Sequence, residues 1–345
     1  MGKLEKDLLE YPYTLNELSS GIINNVLLLK TNTRNIVDQA PFIWYAYDTT
    51  IFIVPITKNP TMVSGESQIM TKSLHGMIRK IIPISGPYVE SVNGVHALME
   101  DGRIFQVRYN NKLARVDVEI ILDKTGNGEA NGGGGGGGGG NDKVLNIWPC
   151  AGQLDKFLLS THDGVYVFSI TDRQCKRHLY LPNLGTYLSM VASRGNYTYA
   201  CSGCNLYVRK YVPSVFNNTP VQPSFILKDE VRVLFPYGPY LFIGTVGGLY
   251  VIWCNVLYPI DCKIPLDVHD IYVMGDNLCI VNKESPKNLL AGLYTFDLRE
   301  IISENGEPLP SITDYIYSMI PKISHFGSTS TSSDMKGTLI VYEYV

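Results

Sequence analysis

Leu241-Phe-Ile-Gly-Thr-Val-Gly-Gly-Leu-Tyr-Val-Ile252 is the stretch whose reading decides the fold. Two short apolar runs rich in β-branched and aromatic residues flank a glycine-containing turn, the pattern of a β-hairpin. Phe157-Leu-Leu-Ser-Thr-His-Asp-Gly-Val-Tyr-Val-Phe168 repeats it. Looser copies follow the same order of turn and strand: Asp48–Val54, Asp101–Val107, Ser202–Val208, Gly292–Phe296 and Gly337–Tyr342. The first apolar residues of these strands are Ile51, Ile104, Val165, Leu206, Leu249, Leu293 and Leu339. They are spaced by 53, 61, 41, 43, 44 and 46 residues. Without the nine-glycine run Gly132–Gly140, the interval of 61 becomes 52. A period of ~40–50 residues with several short strands per unit is the signature of a β-propeller.

The chain is therefore expected to be all-β, a seven-bladed propeller without standard WD40 marks, forming one domain over residues 1–345. The second strand of each blade is expected at Phe42–Tyr47, Gly94–Met99, Lys156–Thr161, Tyr197–Ser202, Tyr240–Thr245 and Asn277–Asn282. An inner strand is expected at Val231–Tyr237, and outer strands at Val116–Leu122 and Ser224–Lys228. The sequence stops shortly after the seventh copy, so the last blade lacks an outer strand of its own. An N-terminal segment such as Val26–Lys30 is expected to supply it and close the ring, hiding two sheet edges. Two β-sandwiches are the rival architecture, but sandwiches are not organised on one period near 45 residues. Segments 124–143 and 328–336 read as flexible loops, the first glycine-rich and either natural or an engineered bridge.

Composition narrows function less than fold. The 345 residues are 45% hydrophobic and 18% charged, which excludes a wholly disordered chain. A net charge of -3 gives no global basic field, so direct nucleic-acid binding is not expected. No run of about 18 apolar residues marks a transmembrane helix. The charged start, with Lys3, Glu5, Lys6 and Asp7, does not resemble a secretory signal. Seven scattered cysteines suit reduced thiols and a cytoplasmic location. The sequons at Asn196 and Asn217 then read as chance matches.

Candidate chemistry is sparse. Cys201-Ser-Gly-Cys204 has the spacing of a zinc or redox pair, with Cys254 and Cys262 as further ligands. It also falls where the repeat already demands a turn. His162-Asp163-Gly164 is the third-blade copy of the Asp-Gly turn. No metal site, no cofactor and no catalytic residue is expected. Trp44, Trp148 and Trp253 are assigned to blade packing. One basic cluster, Arg173, Lys176, Arg177 and His178, is the candidate interaction site for acidic lipid or a partner's acidic patch.

The unit of a strand, then Gly/Ser-Thr-x-x-Gly-Leu/Val-Tyr-Val, is similar to the citron homology domain. Phe157–Phe168 and Leu241–Ile252 carry the resemblance. That family is a seven-bladed propeller of Rho exchange factors, citron-type kinases and endosomal or vacuolar tethering subunits. The resemblance implies a non-catalytic interaction module of a membrane-trafficking or small-GTPase-linked assembly. It implies a small GTPase or tethering subunits as partners, and membrane association through them at endosomes or vacuoles. The rival readings are a scaffold subunit of a nuclear or chromatin complex and a propeller hydrolase with an axial site.

Overall fold

The computed structural model describes residues 23–29, 42–55, 70–84, 94–110, 113, 115–123, 143–150, 155–212, 219–264, 266–274, 276–282 and 292–318. Within them lie six four-stranded antiparallel sheets, each ordered as the chain runs. This meander is the blade of a β-propeller. The first sheet holds β1 (Ile23–Leu29), β2 (Phe42–Tyr47), β3 (Thr50–Pro55) and β4 (Met70–Ser73). The second holds β5 (Ile78–Pro83), β6 (Gly94–Met99), β7 (Ile104–Asn110) and β8 (Arg115–Leu122). The third holds β9 (Asn146–Pro149), β10 (Lys156–Thr161), β11 (Gly164–Ser169) and β12 (Gln174–Tyr180). The fourth holds β13 (Met190–Arg194), β14 (Tyr197–Ser202), β15 (Asn205–Lys210) and β16 (Phe225–Ile226). The fifth holds β17 (Val231–Tyr237), β18 (Tyr240–Thr245), β19 (Gly248–Trp253) and β20 (Val256–Ile260). The sixth holds β21 (Val268–Met274), β22 (Asn277–Asn282), β23 (Gly292–Asp297) and β24 (Ile316–Ser318).

The second strands fall where the repeat predicts them, and the third strands begin at or within a residue of the predicted apolar positions. One assignment changes. Residues 23–29 do not serve a last blade; they pair antiparallel with Phe42–Tyr47 as the first strand of the first sheet. Its apolar run marks a strand but cannot name a partner. The seventh copy, Gly337–Tyr342, lies outside the described residues, as do the loop 328–336 and all of 124–143 except Lys143. The predicted outer strand Ser224–Lys228 shrinks to Phe225–Ile226, and Val116–Leu122 extends to Arg115.

The chain divides into two compact units, the first holding sheets one and two, the second holding sheets three to six. In the first unit Trp44, Ala46, Ile51 and Ile53 pack on Ile81, Val95, Ala97 and Phe105. In the second, each sheet packs face to face on the next. Trp148, Leu158 and Val165 of sheet three meet Val191, Ala200 and Tyr207 of sheet four. Cys201 and Leu206 meet Leu234, Leu241 and Ile243 of sheet five. Phe242 and Val251 meet Ile271, Leu278 and Ile280 of sheet six. Strand β18 is buried at all six positions, so Leu241 and Ile243 face sheet four while Phe242 faces sheet six. Trp44 and Trp148 are buried and Trp253 packs against the core, as predicted.

The Gly244-Thr245 pair has a physical cause at each position. A Cβ on Gly244 would lie 2.3 Å from Val268 Cγ1 and 2.6 Å from Val233 Cγ1. Only glycine lets sheets five and six approach there. Thr245 is fully buried, and its hydroxyl donates to the Gly248 carbonyl at 3.0 Å, closing the hairpin.

Between β23 and β24 the chain leaves sheet six and clasps sheet five. It forms α1 (Leu298–Ile301), capped by Asp297, whose carboxylate accepts from the Arg299 amide. The Tyr240 hydroxyl donates to the Gly306 carbonyl at 2.8 Å. Asp261 exchanges backbone bonds with Pro310 and Ile312, each 2.9 Å. Ile301 and Ile312 of this strap are buried.

Candidate functional site

The basic cluster is split by the strand that carries it. In β12 successive side chains point to opposite faces. A bulge adds a residue: Val165 opposes Leu179 and Tyr166 opposes Arg177, leaving His178 extra. Arg177 turns towards the Asp163 hairpin. Its Nη1 lies 2.7 Å from Asp163 Oδ2, with only 15% of the arginine side chain exposed. Tyr166 donates to both carboxylate oxygens, at 2.9 and 2.8 Å, and Thr161 Oγ1 donates to Oδ1 at 2.5 Å. The guanidinium stands 4.7 Å from the Tyr180 ring centroid and 5.9 Å from that of Tyr166. Burial alone would raise the Asp163 pKa; the Thr161 and Tyr166 hydroxyls and Arg177 outweigh it and hold the carboxyl below its usual range. Burial and the Asp163 carboxylate together push the Tyr166 phenol up.

His178 turns instead to sheet four. Its Nδ1 lies 2.7 Å from Thr198 Oγ1, and its ring stacks on Tyr211 with centroids 4.0 Å apart. Burial, with Lys156 and Lys176 nearby, lowers its pKa to about 4, so it is neutral at pH 7. Thr198, the third residue of the Asn196 sequon, is thus a buried packing residue. Arg173 and Lys176 are exposed, Arg173 in a left-handed turn with φ 52°. The four residues therefore do not form one basic surface. Two fasten strands together and two face solvent.

The other sequence candidates are also taken up by the fold. Cys201 is fully buried between sheets four and five, and burial pushes its thiol up strongly. Cys262 belongs to the apolar cluster between sheets five and six, and Cys254 is exposed on a turn. Among the described residues no three His, Cys, Asp or Glu side chains group as metal ligands. In the first unit His96 is buried, with Nε2 3.1 Å from the Gln106 amide nitrogen. Burial and then Arg108 lower the His96 pKa to about 3, so the imidazole is neutral and accepts from that amide.

One concave surface was not anticipated. A groove of about 230 Å³ opens between sheets four and five. Its floor is Tyr199 and Ile252, both buried, and its walls are the half-buried Tyr197, Val208 and Phe225. Lys210, Ser224 and Asn255 stand exposed around it. Arg194 fastens the floor: it lies over the Tyr199 ring at 5.6 Å and donates to the Ile252 and Pro239 carbonyls. Asn255 donates to the Tyr197 hydroxyl at 3.3 Å. Its left-handed φ of 62°, with 48° at Cys254, makes the tight β19–β20 hairpin that carries it. The groove lies where β16, two residues long, pairs with Asn205 and Leu206 alone. The signal is the short apolar run Phe225-Ile-Leu227 set between polar and proline residues.

No protein-family model matches the chain, and no curated protein matches it either. Among solved structures it is similar to Hsv2 of Kluyveromyces lactis, with a TM-score of 0.48 and 9% identity. That likeness covers 88% of this chain and 84% of the other. It is also similar to BBS1N, solved in complex with ARL6DN, with a TM-score of 0.47 and 11% identity over 81% of this chain and 80% of that one. At these levels the likenesses transfer no residue role and no partner to this chain.

Proposed function

We propose that this chain is a non-catalytic protein-interaction propeller of the citron-homology kind. Its place is a small-GTPase-linked or membrane-trafficking assembly in the cytoplasm, at endosomal or vacuolar membranes. The observation that carries the interaction reading is the aromatic groove between sheets four and five. It is concave and mostly apolar, with Lys210, Ser224 and Asn255 at its rim, and its floor is braced by backbone-directed hydrogen bonds, the form of a recognition surface. The polar groups that sequence alone offered for chemistry support the same reading. Asp163, Arg177 and His178 are engaged in holding strands and sheets together. The GTPase version rests on the resemblance of Phe157–Phe168 and Leu241–Ile252 to citron-homology strands. Pulldown with GTP-locked and GDP-locked Rab- and Rho-type GTPases tests it. Retention by a GTP-locked form is the expected result, and uniformly clean negatives overturn the GTPase version. Affinity purification of the tagged protein, identified by mass spectrometry, tests the assembly: trafficking subunits are expected, and chromatin subunits overturn it.

A further inference from the structure

The outer edge of β15 shows what kind of partner segment fits the groove. Strand β16 covers only Asn205 and Leu206. The alternation of an antiparallel ladder turns the backbone groups of Leu206, Val208 and Lys210 towards this edge. Tyr211, of opposite parity, donates inwards to Asn196. The Leu206 carbonyl accepts from the Ser224 amide at 2.8 Å. At Val208 a side chain replaces a strand: Ser224 Oγ accepts from the Val208 amide at 3.2 Å and contacts its carbonyl at 3.4 Å. Lys210, next on the same edge, is paired with no outer strand among the described residues. Its ammonium group stands exposed beside an apolar hollow, with no carboxylate among the eight lining residues.

We propose that this groove receives an extended peptide segment of a protein partner, carrying a bulky apolar side chain beside a carboxylate. The segment runs along the β15 edge at Lys210, the apolar side chain enters the hollow over Tyr199 and Ile252, and the carboxylate meets the Lys210 ammonium. Main-chain pairing gives affinity in such strand addition, and the pocket with its charge gives specificity. The proposal rests on the interaction-module reading and adds the chemistry of the ligand.

The test is selection of a random dodecapeptide library against the full chain. Enrichment of an aromatic or branched aliphatic residue next to Asp or Glu is expected. A synthetic peptide from that pool should bind Lys210→Glu at least about fivefold more weakly, the scale of reversing one exposed ion pair. A Lys in place of the peptide's acid should restore binding to that variant. Lys176→Gln, which removes an exposed lysine of sheet three outside the groove lining, should change affinity less than twofold. No enrichment, enrichment without an acid preference, or unchanged binding to Lys210→Glu overturns the proposal. So does a dimer of the chain that Lys210→Glu dissolves, because a second copy then owns the groove. A protein partner held equally by the parent chain and by Lys210→Glu upholds the interaction module and overturns only the ligand chemistry.

Discussion

Asp163→Ala should unfasten the third sheet. The carboxylate accepts from Thr161 Oγ1, from the Tyr166 hydroxyl and from Arg177 Nη1. Truncation leaves three donors without their acceptor, among them a guanidinium only 15% exposed and packed on Tyr180. Each neutral hydrogen bond is worth ~1 kcal/mol, and a charged one ~1.5–3 kcal/mol. Solvent access to Asp163 reduces the ionic share, so the expected loss is roughly 2–4 kcal/mol, a large part of a typical folding stability of ~5–15 kcal/mol. Urea unfolding followed by tryptophan fluorescence measures it. Arg177→Met keeps the stem that packs on the tyrosines and removes the charge. The double variant should therefore show a coupling of at least ~1 kcal/mol, because groups in one network are not additive. The coupling should persist in high salt, which screens exposed pairs far more than sheltered ones. The network also has a pH signature. The folded carboxyl titrates below its unfolded value, so its stabilisation is present above pH ~4 and is lost as pH falls through the folded pKa. A loss below ~1 kcal/mol for Asp163→Ala, or additivity within ~0.5 kcal/mol, would refute the reasoning and return Arg177 to the surface.

His96 predicts acid lability in the first unit. The unfolded imidazole binds a proton below pH ~6.5 and the buried one only near its lowered value of about 3. Stability should thus fall on acidification across that window by up to ~1.4 kcal/mol per pH unit, and His96→Gln should flatten the slope in denaturant titrations at stepped pH. Gly244→Ala should cost roughly 2 kcal/mol or more, because its Cβ meets Val268 and Val233 at 2.3 and 2.6 Å; circular-dichroism melts measure it. Ile301→Ala and Ile312→Ala should each cost ~2–4 kcal/mol, since both are buried residues of the strap. Limited proteolysis should then cut first within residues 298–315.

The parts of the fold that were legible are those written locally. In sheets one, three, four and five the second and third strands are joined by two residues, so Thr161-His-Asp-Gly164 and Thr245-Val-Gly-Gly248 announce both strands and their pairing at once. The first strand is equally plain where its link is short, as at Gly238-Pro239. The partner expected for Val26–Lys30 differs from the one that Ile23–Leu29 takes, because residues 30–41 separate it from β2 and a long link erases the register that a tight turn imposes. The basic cluster is divided for a related reason. Counting charges along Arg173–His178 ignores the alternation and the bulge that send Arg177 and His178 to different neighbours. Grooves are harder still. The one between sheets four and five depends on the length of β16 and on side chains from four strands, β14, β15, β16 and β19, spread over residues 197–255.

Lys210 can stand on that edge for two reasons, and they separate experimentally. Lysines on exposed edges keep sheets from pairing with other chains, and for that task any charge suffices. Ligand recognition needs a positive charge in particular. Lys210→Glu therefore keeps the edge guarded under either reason, but it weakens an acidic peptide only if the lysine contacts it. Lys210→Ile removes the guard as well, and self-association should appear in sedimentation velocity alongside the loss of acidic peptide. Should Lys210→Glu bind the peptide as the parent does while Lys210→Ile aggregates, the lysine is a guard alone. The short β16 would then be a tolerated defect, with the Ser224 hydroxyl as its patch.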